Sequence, residues 1–140
     1  MAELIIDTGL KEFDVNGKCK FRFSPTDFLF IERVYNAFEA LDSINTKAGE
    51  ELQGITDNIE FFEKVRGYDG EMRTVIDGIT GIEDFCDKAF DGVGLFSFGE
   101  GLPIWANFML AIIDQLDEGF NSAKALENPR LQKYIKKYKK

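Results

Sequence analysis

The run from Leu102 to Ile113 is apolar at every position except Asn107, holds the only tryptophan of the chain, and carries Pro103 close to its start. Proline fixes φ near the helical value and lacks the amide hydrogen that a first-turn residue leaves unused, so Pro103 predicts the first position of a helix. A helix that is apolar on almost every side has to be surrounded by its own protein. The run is also too short for a bilayer, which takes about 20 apolar residues. A central core helix is therefore expected. Beyond Ile113 it becomes amphipathic: Leu116, Phe120 and Ala123 continue the buried side, while Asn107, Asp114, Glu118 and Asn121 form a polar stripe.

The rest of the chain must cover that helix. At 140 residues it is long enough for one domain with a sizeable core. Fourteen phenylalanines supply much of the apolar bulk. Ahead of the helices, Phe13, Val15, Cys19, Phe21 and Phe23 alternate with charged residues about Asn16-Gly17, which predicts a β-hairpin over about residues 10–23. A two-residue Asn-Gly loop would set Val15 against Lys18 and Phe13 against Lys20, mixing apolar and charged partners on one face. A three-residue loop, Val15-Asn16-Gly17, instead pairs Asp14 with Lys18, Phe13 with Cys19 and Glu12 with Lys20, and is the expected turn. Leu4-Ile5-Ile6, ended by Thr8-Gly9, is a candidate third strand.

Ser24 then reads as an N-cap, Pro25 as the first helical residue and Asp27 as the acid of a capping box. This predicts a helix from about Pro25 to the mid-forties, leaving at Lys47-Ala48-Gly49. Apolar residues from Ile55 to Ile79 keep helical phase across Gly67 and Gly70, which predicts one long helix with a weak middle. Thr80-Gly81-Ile82-Glu83 resembles a second capping box, followed by a short helix bearing Ile82, Phe85, Cys86, Ala89 and Phe90. A glycine-punctuated loop, Gly92 to Gly101, leads into the central helix. Asn128-Pro129 breaks the chain and caps a last helix with Leu131, Tyr134, Ile135 and Tyr138 on one face. The expected fold is α+β and mainly α, a hairpin packed on a bundle of about five helices. Residues 1–128 form a single domain, and residues 129–140 a basic amphipathic C-terminal helix.

The chemistry available is narrow. The chain has no histidine, which removes Ser-His-Asp and Cys-His catalysis and His-ligated zinc. Cys19 and Cys86 form no CxxC pair and fall on apolar faces, so both read as inert core residues in a reducing, cytoplasmic setting. No secretion signal is expected from Met1-Ala2-Glu3. The carboxylates Asp114, Asp117 and Glu118, and Glu83, Asp84 and Asp87, lie on amphipathic helices without the loop and glycine of an EF-hand, and read as solvated faces. Gly92-Val93-Gly94 lacks the third glycine of a dinucleotide motif, Ser97 standing near its place, and no Gly-Lys-Ser/Thr occurs. No catalytic, cofactor-binding or metal-ligating residue is expected, and the chain does not read as an enzyme.

Two surfaces remain as candidates for protein contact. The first is the glycine loop, which either tucks into its own core, the slightly favoured reading, or presents Leu95, Phe96 and Phe98 to a neighbour. The second is the tail, with Arg130, Leu131, Lys133, Tyr134, Lys136, Lys137 and Tyr138. Net charge is −8, but six cations fall within residues 130–140, leaving 11 basic residues against 25 acidic ones, or −14, for the body. Such a body repels nucleic acid, and no specific nucleic-acid partner is expected. A basic amphipathic helix can still bind RNA, an anionic membrane or an acidic protein face, though one short element does not anchor a membrane stably. Docking on the acidic body of its own or an identical chain is the favoured reading, and a separate protein partner is the next. A homo-oligomer would also cover the edges of the small sheet. The alternative is a regulatory module whose tail binds RNA or membrane.

Several segments, in order, resemble small tail-region proteins of bacteriophages and prophages of Gram-positive bacteria. They are the Asn16-Gly17 hairpin, Phe23-Ser24-Pro25-Thr26-Asp27, Glu32-Arg33-Val34-Tyr35-Asn36-Ala37-Phe38, Asp69-Gly70-Glu71-Met72-Arg73, Gly101-Leu102-Pro103-Ile104-Trp105-Ala106-Asn107 and Asn128-Pro129-Arg130. The resemblance covers most of the chain, and its segments are structural. It implies a tail assembly chaperone that binds the tape-measure protein and aids polymerisation of the tail tube in the host bacterial cytoplasm, or else a structural or accessory tail protein. It assigns no functional residue.

Overall fold

The computed structural model describes residues 1–119 and 136–137, with only the backbone of 117–119. In order, the elements are β1 (Lys11–Val15), β2 (Cys19–Phe23), α1 (Phe28–Leu52), α2 (Asn58–Thr80), α3 (Phe85–Ala89), β3 (Phe98–Gly99), β4 (Leu102–Pro103) and α4 (Ile104–Gly119). The fold is α+β and mainly helical, as expected. Four helices stand among the described residues, against the expected five or so. Of the basic C-terminal helix, only Lys136 and Lys137 are described, and both are helical.

The hairpin keeps the expected faces but changes partners. Phe13 lies opposite Phe21 and Val15 opposite Cys19, while Glu12 faces Arg22 and Asp14 faces Lys20. The expected pairings of Asp14 with Lys18, Glu12 with Lys20 and Phe13 with Cys19 are therefore shifted by two residues along β2. The cause is the turn. Asn16 and Gly17 both take left-handed φ, 55° and 69°, and the Lys18 N–H donates to the Val15 carbonyl at 3.0 Å. This is the geometry that matches strand twist. Lys18, not Val15, becomes the extra residue, and Val15 stays in the ladder.

Leu4-Ile5-Ile6 forms no third strand. Gly9 is left-handed at φ 75°, with its N–H held by Asp7 Oδ1 at 2.9 Å, which interrupts the extended chain before β1. The three aliphatic side chains stand in solvent.

Helix α1 starts three residues later than the proline predicts. Ser24 to Asp27 make a turn closed by the Asp27 N–H on the Ser24 carbonyl at 3.1 Å. Asp27 is then the N-cap, accepting from the Leu29 N–H at 2.9 Å. Ser24 is buried instead. The helix also runs through Gly49 to Leu52. A glycine costs a helix only about 1 kcal/mol relative to alanine, and burial of Ala48 beside it offsets that.

Helix α2 is unbroken across Gly67 and Gly70, as expected. Its Asp57 cap accepts from the Glu60 N–H, and Tyr68, Met72, Ile76 and Ile79 are buried. The second capping box does not form. Thr80 is the last residue of α2, and its Oγ1 accepts from the Ile82 N–H at 3.1 Å. The first turn of α3 is served from α2 itself, where Asp77 Oδ1 accepts the Cys86 N–H at 3.0 Å.

Helix α4 is the core helix that its composition requires. Trp105, Ala106, Met109, Ile113 and Leu116 are sealed from solvent, and only Ala111 of the run's second half is exposed. Pro103 sits just ahead of the helix, in β4, rather than at its first position. The Trp105 ring meets Phe38 of α1 edge-on at 6.0 Å. A second aromatic cluster fastens the hairpin. Phe23 stacks between Phe13 and Phe30, both at 4.5 Å, and Phe85 joins Phe21 at 6.1 Å to Phe108 at 5.4 Å. Such contacts add about 0.5–1.5 kcal/mol each beyond area burial. Among the described residues, no helix is long and apolar enough to cross a membrane.

Candidate functional site

The chain between α3 and α4 is pinned at both ends by polar side chains on helices. On α2, Asp69 and Arg73 stand one turn apart. Asp69 Oδ1 accepts the Leu95 N–H at 2.7 Å, while its Oδ2 accepts from Arg73 Nε at 2.6 Å. The rest of the Arg73 fork donates to Asp87 Oδ1 at 2.5 Å and to the Val93 carbonyl at 3.0 Å. One planar guanidinium thus ties α2 to α3 and to the loop, a geometry lysine cannot reproduce. Asp69 and Arg73 are largely shielded, at 17% and 19% side-chain exposure, whereas Asp87 is exposed. Burial alone would lower the Arg73 pKa, but the hydrogen bond to Asp69 and the charges of Asp69 and Asp87 outweigh it and raise it.

At the other end, Asn107 of α4 donates to the Gly99 carbonyl at 2.6 Å and to the Leu102 carbonyl at 3.3 Å. The loop returns the favour to α4. Its Ser97 carbonyl accepts the Ile104 N–H at 2.8 Å, and its Leu95 carbonyl the Trp105 N–H at 3.2 Å. These are first-turn donors that have no partner within a helix.

The fixed loop sorts its three apolar side chains. Leu95 is fully buried, Phe96 half-buried and Phe98 71% exposed. The reading of the loop as tucked into its own core holds for Leu95 and fails for Phe98, which lies in a strand too short to carry it inward. Beside Phe96 runs an open groove of about 360 Å³ lined by Phe62, Val65 and Arg66 of α2. Phe62 is itself exposed, as is Ile59 one turn before it.

Of the tail candidates, Lys136 and Lys137 are exposed, and Lys137 Nζ meets Asp42 Oδ1 of α1 at 2.5 Å. Arg130, Leu131, Lys133, Tyr134 and Tyr138 lie outside the described residues. The loop and the Lys137 contact are separate features, the first held by α2 and α4 and the second by α1.

The remaining reactive groups are quiet. Burial, with a hydrogen bond to Asp77, pushes the Cys86 thiol far above its ordinary range, and burial also raises Cys19. The thiolate is the reactive form, so neither is poised as a nucleophile. Asp87 is committed to Arg73. The Tyr68 hydroxyl donates to Glu51, which also pairs with Lys64 at 3.0 Å. These contacts lower the Glu51 pKa and push Tyr68 up to about 12. They tie the end of α1 to α2. Among the described residues, no group of three acidic or cysteine side chains is placed to hold a metal ion.

Sequence reading missed the Asp69–Arg73 latch, and for Asn107 it weighed a buried hydrogen-bonding role but favoured a place on a polar stripe. The signals were present in each case: an acid and an arginine at i, i+4, and a lone polar residue in an apolar run. What they would grip, 26 residues away for Asp69, was not. Comparisons with family models, with curated proteins and with solved structures find no match for this chain.

Proposed function

We propose that the chain is a non-enzymatic bacteriophage tail assembly protein, a chaperone acting in the host cytoplasm through contacts with the tape-measure and tail-tube proteins. The reading rests on the resemblance of its segments to small phage tail-region proteins. The observation that carries its mode of action is the division within one pinned loop, Leu95 buried and Phe98 in solvent. An exposed phenylalanine on a backbone held by Asp69, Arg73 and Asn107 is an anchor offered with little ordering cost, which favours protein recognition. The groove beside Phe96, with Phe62 and Val65 as walls and Arg66 at the rim, suits an amphipathic helix of a partner.

The test is co-expression with the tape-measure protein of the same phage, followed by affinity pull-down at low and at physiological salt. Association at both salts is expected, with recovery reduced by Phe98→Ser combined with Phe62→Ser. Absence of association at either salt overturns the reading.

A further inference from the structure

The segment ahead of β1 is the least economical part of the molecule. Leu4, Ile5, Ile6 and Leu10 are 89%, 84%, 75% and 52% exposed. Gly9 fixes where this arm leaves the body. A Cβ at Gly9 would lie 3.0 Å from the Ser24 hydroxyl, so the backbone is seated against Ser24 at that point. Beyond it Leu4, Ile5 and Ile6 belong to no helix or strand, and their aliphatic composition suits a strand.

The body carries a complementary vacancy. The sheet has two strands among the described residues, so the outer edge of β1 offers unpaired backbone groups. Between the hairpin, with Phe13 and Val15 of β1 and Phe21 and Phe23 of β2, and Phe108, Ala111 and Ile112 of α4 lies a mainly apolar groove of about 240 Å³. That exceeds the roughly 150 Å³ cavity that accepts a benzene-sized group.

We propose that this edge and groove are the docking site for residues 4–6 of a second copy of the chain. The arm adds as a strand along β1. Side chains in a strand alternate between faces, so Leu4 and Ile6 enter the groove beside Phe13 and Val15, and Ile5 faces outward. The occupant is identified by what the described residues leave over: an exposed aliphatic tripeptide, and an edge with an apolar trough but no strand on it. Reciprocal exchange between two copies closes the assembly as a pair. This inference needs only a second copy and stands apart from the tail-assembly reading.

The experiment is sedimentation equilibrium on the full chain, on the arm variant Leu4→Glu/Ile6→Glu, on the groove variant Ala111→Glu, and on an equimolar mixture of the two variants. Leu4, Ile6 and Ala111 are exposed in the single chain, so both variants keep the parent fold, read as an unchanged circular dichroism spectrum. The parent self-associates, and each variant does so at least about a thousandfold more weakly, because reciprocal exchange leaves four aliphatic side chains of the pair in water. The mixture regains association, because one intact arm then meets one intact groove. A parent that stays monomeric, variants that associate like the parent, or a mixture that does not recover would each overturn the proposal. So would an Ala111→Glu chain that melts early with unchanged association.

Discussion

The described residues contain two hairpins that reverse direction in the same way and are held in opposite ways. Both turn through a pair of left-handed residues, Asn16-Gly17 in the first and Glu100-Gly101 in the second. The β1–β2 hairpin has strands of five residues, long enough to keep an apolar face, and it buries Phe21 and Phe23 in the aromatic cluster. The β3–β4 hairpin has strands of two residues. Without a face to bury, it is fixed by Asn107 directly and by Asp69 and Arg73 through the preceding loop. A hairpin secured by area spends its aromatic residues on stability. One secured by borrowed hydrogen bonds leaves its phenylalanine free for other uses.

Four substitutions break or sharpen that contrast. Phe21→Ala removes the centre of the buried face and should cost about 3–5 kcal/mol in chemical denaturation. Asp69→Ala leaves the part-buried Arg73 without its best-shielded acceptor and the Leu95 amide unserved. The expected loss is about 2–3 kcal/mol, with resonance shifts concentrated at residues 92–97. Asn107→Ala should cost about 1 kcal/mol, read as faster amide exchange at the β3–β4 hairpin with α4 unchanged. Phe98→Ser should leave stability within about 0.5 kcal/mol of the parent while weakening capture of a tape-measure partner. A loss for Phe98→Ser comparable with that for Phe21→Ala would erase the distinction between the two hairpins.

What the sequence disclosed follows the same division. Wherever periodic burial sets the structure, the residues announced it: the common face of Phe13, Val15, Cys19, Phe21 and Phe23, the unbroken phase of α2, and the all-round apolarity of α4. Wherever a single polar group decides, they did not. Ser24 and Asp27 are both good caps, and only the turn between them selects Asp27. Val15 and Lys18 compete to be the extra residue of the first turn, and the left-handed pair between them selects Lys18. The loop's outward presentation of Phe98 depends on Asp69, Arg73 and Asn107, whose partners lie on other elements. Local pattern does not record such long-range grips.

Asp77 has a further consequence. Its carbonyl accepts the Gly81 N–H that closes α2, and its carboxylate accepts the Cys86 N–H that opens α3. A helix of five residues has no stability of its own. Protection of the Cys86 amide from solvent exchange is therefore a property of the last turn of α2, and the two should open as one cooperative unit. Fraying at Thr80 would release α3, then Asp87 from Arg73, and so loosen the loop from a point it never touches.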